Sequence, residues 1–167
     1  MRKTLWKVGL TTAAVVLLSS SSAYAQQVAN AALNVTVNVG SRARLTLGAV
    51  GITFADADPT ATPIMNAGPV TVDVGARTTT GAAVTLTVLA NGNLTSGTDV
   101  ITINNLTWTA TGTGFVAGTS NATTAQNVGA WTGSGVRTGS QSFALPNSWA
   151  YVPGTYTATL NYTLTVP

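Results

Sequence analysis

Two stretches of the chain alternate strictly between apolar and polar residues, and they lie far apart. From Leu33 to Val39 the odd positions (Leu33, Val35, Val37, Val39) are apolar, and Asn34, Thr36 and Asn38 are polar. From Thr155 to Val166 the even positions Tyr156, Ala158, Leu160, Tyr162, Leu164 and Val166 are apolar, and the odd ones are Thr or Asn. Side chains alternate between faces along a strand, so each pattern predicts a strand with one apolar face. Gly40-Ser41 interrupts the first stretch, and its parity resumes at Ala43, Leu45 and Leu47.

The segments between them follow the same period. Ile52 to Phe54 reads as a short strand before a Pro-containing loop over residues 55–63. Val70, Val72 and Val74 alternate with Thr71 and Asp73; Val84, Leu86, Val88 and Ala90 form another apolar face, closed by the turn signal Asn91-Gly92. Ile101 and Ile103 share one parity and Leu106 and Trp108 the other, which predicts a bulge at Asn104-Asn105. Residues 111–139 are rich in Gly, Thr, Ser and Asn, with short strands expected near Phe115 and over residues 128–131; Ser140 to Leu145 reads as a strand ended by Pro146. No segment sustains apolar spacing of three and four. The expected fold is all-β: an immunoglobulin-like or jelly-roll-like β-sandwich of about eight strands with a swappable N-terminal strand.

The N-terminus changes how the charge is read. Arg2, Lys3 and Lys7 precede an apolar run from Val8 to Leu18, and Ala23-Tyr-Ala25 is an A-x-A cleavage site, so residues 1–25 read as a cleaved signal peptide. The run is too short to span a bilayer comfortably. The expectation is a secreted protein, released to the medium or held at the cell surface. The rest divides into a donor-type strand and hinge over 26–40 and a sandwich domain over 41–167.

Removing 25 of the 167 residues leaves 142, in which Arg42, Arg44, Arg77 and Arg137 balance Asp56, Asp58, Asp73 and Asp99. With no basic stripe to neutralise phosphates, nucleic-acid binding is not expected. Those 142 residues hold no Lys, Glu, His or Cys, which removes the common general acids and bases, the usual zinc and haem ligands, and disulfides. The expectation is a non-enzymatic protein without metal or cofactor. Asp56 and Asp58 offer two oxygens where Ca²⁺ takes six to eight, and they read better as a solvated turn. Thr fills 28 of the 142 positions; it suits a pleated surface and leaves sheet edges without charged guards.

The first alternating strand sits behind the Gly40-Ser41 hinge, free in principle to pair with its own sheet or with a neighbour's. Entering a neighbour's sheet would bury Leu33, Val35, Val37 and Val39, a strand-addition mode that propagates into a filament. A second reading is a monomeric surface or glycan-binding module using Trp131, Trp149 and Tyr151, since exposed aromatics on a sandwich are a common way to hold sugars.

Three segments bring a family into view: Phe54-Ala-Asp-Ala-Asp-Pro59, then Gly68-Pro-Val-Thr-Val-Asp-Val74, then the alternating strand opened by Gly154, which is fourteenth from Pro167. Together with the export signal they resemble secreted pilin-like subunits of the spore coat U/archaic chaperone–usher group. The resemblance implies an incomplete immunoglobulin-like sandwich that is completed by the N-terminal strand of the next subunit. It also implies a periplasmic chaperone and an outer-membrane usher as partners. On that reading Leu33, Val35, Val37 and Val39 are the donor, and Tyr156, Leu160, Tyr162 and Leu164 lie on the acceptor strand.

Overall fold

The structure, a computed structural model, describes residues 29–167, and the expected signal peptide lies outside the described residues. Residues 38–167 form one compact unit, and residues 29–37 fall outside it. The unit is all-β, with eleven strands: β1 (Arg42–Leu47), β2 (Ile64–Asn66), β3 (Val70–Arg77), β4 (Ala83–Ala90), β5 (Leu94–Ser96), β6 (Asp99–Ile101), β7 (Thr107–Thr111), β8 (Gly118–Thr119), β9 (Gln126–Thr132), β10 (Gly135–Pro146) and β11 (Leu160–Thr165). No helix among the described residues is long and apolar enough to cross a membrane.

Two sheets make the sandwich. One has the order β1-β3-β10-β7-β8, with the short β2 also on β10; the other has the order β11-β4-β9; β5 and β6 form a separate hairpin. All pairings are antiparallel. The alternating Val and Leu residues of β3 and β4 face each other across the core: Val72, Val74, Val84, Leu86 and Val88 are buried, joined by Val128 from β9 and Phe143 and Leu145 from β10. Apolar burial of this kind stabilises by about 1.5–3 kcal/mol per side chain, which explains why period-two sequence becomes two stacked sheets.

The two sides of the sandwich end differently. On the β8/β9 side the seam is sealed. Phe115 bridges to Gly129, the Ala130 amide donates to the Gly114 carbonyl, and Trp131 Nε1 donates to the Thr113 carbonyl at 2.8 Å. Phe115 packs edge-on against Trp131 at 4.9 Å between ring centres. Glycine makes this closeness feasible: a Cβ on Gly118 or Gly129 would run into Trp108 or Trp131. On the other side β1 and β11 are edge strands of different sheets, and no strand lies between them.

Several expected elements take another form. Residues 29–41 carry neither helix nor strand, because an isolated strand has no ladder to satisfy its backbone. Ile52 to Phe54 is likewise without a ladder partner, and regular pairing in the second alternating stretch is confined to β11, with Thr157 in an isolated bridge to Thr95. The parity change at Asn104-Asn105 is a 3₁₀ turn over Ile103–Asn105 between β6 and β7, not a bulge. Asn91-Gly92 leads from β4 to β5, yet β4 pairs with β9 and β11 instead.

Candidate strand-accepting groove

The candidate site is the open seam between β1 and β11. Leu45 and Leu47 on β1, Leu160, Tyr162 and Leu164 on β11, and Val166 beyond it have the inward parity, but they are only half-buried, unlike their counterparts on β3 and β4. Their outward-parity neighbours Thr46, Asn161, Thr163 and Thr165 are exposed. The two strands run in opposite directions along the seam. At one end Ser41 Oγ and Thr78 Oγ1 donate to the Pro167 carbonyl at 3.2 and 2.7 Å, which ties the start of β1 to the chain just past β11.

At the other end Leu160, the first residue of β11, borders a cavity of ≈ 1040 Å³ to which β1 contributes no residue. Met65, Leu94, Ile101, Leu106, Leu145 and Leu160 give it an apolar lining. Two irregular segments form its lips. One, residues 52–59, brings Ile52 and Phe54 and the carboxylates Asp56 and Asp58; the other, residues 147–158, brings Trp149, Tyr151 and Tyr156. Asn147 Nδ2 donates to the carbonyls of Ala57 and Thr62 at 2.9 and 3.1 Å, and Trp149 Nε1 to Thr60 Oγ1 at 3.1 Å, so the lips are fastened to each other. Asp58 Oδ1 accepts from the amides of Thr60 and Ala61, which makes it the expected turn residue.

A polar pair joins the sheets beside the seam. Gln141 on β10 is fully buried, and its Oε1 accepts from the Tyr162 hydroxyl at 2.7 Å. Gln141 Nε2 has no partner. Burial pushes the Tyr162 hydroxyl up to about 12. Its neutral form is therefore favoured by folding, whereas an unfolded tyrosine ionises near 10. The stabilising contribution is complete below pH ~10 and disappears as the pH climbs through about 12. Thermal melts at successive pH values should show the melting temperature falling over that interval, and the fall should be shallower in Tyr162→Phe. Equal slopes would show that Tyr162 does not titrate in this way.

The predicted donor residues are all accessible: Leu33 is 88 % exposed, Val35 77 %, Val37 75 % and Val39 65 %. Of the predicted acceptor residues, Leu160, Tyr162 and Leu164 share one face of β11 beside the seam, whereas Tyr156 precedes β11 and stands on the cavity lip; each is half-buried. The predicted sugar-facing aromatics do not form a set. Trp131 is only 9 % exposed inside the sealed seam, with its N–H already bound, so its face is closed to a ligand; Trp149 is 73 % exposed and Tyr151 half-buried on the cavity lip. Sequence reading missed Ile52, Phe54 and Met65 as groove residues. Their apolar character was the available signal, but nothing local places a loop residue at the end of a core. No protein-family model matches the chain, and no curated protein shows significant similarity to it.

Proposed function

We propose that this chain is a non-enzymatic, exported structural subunit that assembles with copies of itself into an extracellular filament or coat by donor-strand exchange. The observation that carries the reading is a pairing of unmet needs: a seven-residue alternating segment with all four apolar residues exposed, and a sandwich whose β1/β11 seam leaves its inward apolar residues only partly buried. Inserting Leu33, Val35, Val37 and Val39 between β1 and β11 of another copy would contribute roughly 6–12 kcal/mol gross from side-chain burial. The free edges of β1 and β11 supply ladder partners for the backbone of the entering strand. Exchange of this head-to-tail kind does not close on itself and gives a filament. A periplasmic chaperone covering the seam before assembly, and an outer-membrane usher, fit the same need to keep an unguarded edge from aggregating.

A peptide tests this directly. A chain lacking residues 29–39 is mixed with a synthetic peptide of residues 29–40, and thermal unfolding is followed. The peptide should raise the melting temperature in a saturable way, because a ligand that binds only the folded state stabilises it. A peptide with Val35 and Val37 replaced by Asp should have no effect. No shift with the native peptide at saturating concentration would overturn the reading.

A further inference from the structure

Among the described residues, the charged side chains have no hydrogen-bonded partner of opposite sign. Asp73 Oδ1 accepts from the Thr138 hydroxyl, Asp58 Oδ1 from backbone amides, and Arg137 Nη1 donates to the Val136 carbonyl. No hydrogen bond joins an Arg to an Asp among the described residues. Arg42 instead stands directly opposite Arg77 in the β1–β3 register, both exposed, and Arg44 lies over Gly75. Like charges directly opposite on a strand pair oppose folding. This basic cluster is at the start of β1, the tied end of the seam, and Asp56 and Asp58 line the cavity at the far end.

That distribution matters for a strand arriving from a second copy, because Arg42 follows Val39 by only three residues, about 10 Å of extended chain. The strand has two directions of entry. With Val39 at the tied end, the incoming Arg42 and Arg44 would meet the basic cluster of the receiving copy. With Val39 at the cavity end, they would meet Asp56 and Asp58.

We propose that Arg42 and Arg44 of the inserting copy pair with Asp56 and Asp58 of the receiving copy, and that this pairing selects the entry in which the strand runs antiparallel to β11. The inference rests on the exchange reading above and names a contact that reading does not require. Apolar burial holds the strand; the charges steer it and set its direction, the usual role of pairs at an interface rim.

The test measures the assembly rate of the full chain by light scattering at low salt. Two charge variants are compared: Arg42→Asp with Arg44→Asp, and Asp56→Arg with Asp58→Asn, where Asn keeps an acceptor for the turn. Each alone should assemble about tenfold more slowly, and the combination of all four should return to within about twofold of the original rate. Raising salt to about 1 M, where screening reaches ~3 Å, should erase the differences. Should reversal at β1 unfold the domain, Arg42→Gln with Arg44→Gln keeps the test open, with a slowing of roughly threefold expected. Unchanged rates in the reversed variants overturn the pairing, as does a combined variant as slow as its parents. If rates are unchanged but Val35→Asp with Val37→Asp still blocks assembly, only the pairing is lost. If the unaltered chain neither assembles nor responds to the peptide, the exchange reading fails and the pairing with it.

Discussion

A chain carrying Val35→Asp and Val37→Asp should remain monomeric at concentrations where the unaltered chain forms polymers. Each Val contributes about 1.5–3 kcal/mol when buried, and that contribution is lost. Each Asp brings a further cost of several kcal/mol, because a carboxylate would enter among Leu45, Leu47, Leu160, Tyr162 and Leu164, none of which can neutralise it. Together they exceed ~6 kcal/mol, a shift of more than about four decades in the association constant. The folded unit itself should be untouched, since both residues are exposed and lie outside it. Size-exclusion chromatography checks the assembly, and a thermal melt of the monomer checks the fold. Polymers that persist in this variant would mean that another surface assembles them.

The second large effect is on stability and concerns the sealed seam. Gly114 has φ +82°, and a Cβ there would strike Trp131 at the indole N–H and lie 2.9 Å from the Ala130 carbonyl. Gly114→Ala therefore combines a left-handed conformation, about 1–2 kcal/mol for an L side chain, with overpacking of about 1–3 kcal/mol. It also pushes on the bond from Trp131 Nε1 to the Thr113 carbonyl, which helps to hold the two sheets together. A loss of roughly 2–5 kcal/mol is a large share of a stability of about 5–15 kcal/mol. The melting temperature should drop by about 6–20 °C. Gly92→Ala is the control: a Cβ there meets nothing within 4 Å, and Gly92 does not have positive φ. Similar melting temperatures for the two variants would contradict the account of the closed seam.

The contrast between the two seams explains which features could be read from the sequence. β3 and β4 were legible because strict alternation of Val and Leu with Thr leaves one apolar face and one sheet that can bury it. The strand character of β10 before Ser140 was not, because Gly135 and Gly139 contribute no side chain to the pattern; Gly139 is there because a Cβ would run into Phe115. A 3₁₀ turn and a bulge both shift parity, so Asn104-Asn105 looked the same either way. Whether Trp131 is exposed or caps the core could not be decided from the sequence, because it depends on a partner distant along the chain: the Thr113 carbonyl that takes its N–H lies 18 residues earlier. The site was legible where it is built from strands. Leu160, Tyr162 and Leu164 announced one face by their spacing, but that this face is left only partly buried follows from which strands become edges, a property of topology. The lips of the cavity were illegible because Asn147 and Trp149 position them through bonds across nearly ninety residues.

The most direct measurement is a crystal structure of the chain lacking residues 29–39 with the peptide of residues 29–40 bound. The peptide should lie as an extended strand between β1 and β11, with Leu33, Val35, Val37 and Val39 turned toward Leu45, Leu47, Leu160, Tyr162 and Leu164, and Val39 at the cavity end. A peptide bound on another face, or a seam that closes on itself with the peptide excluded, would contradict the exchange reading.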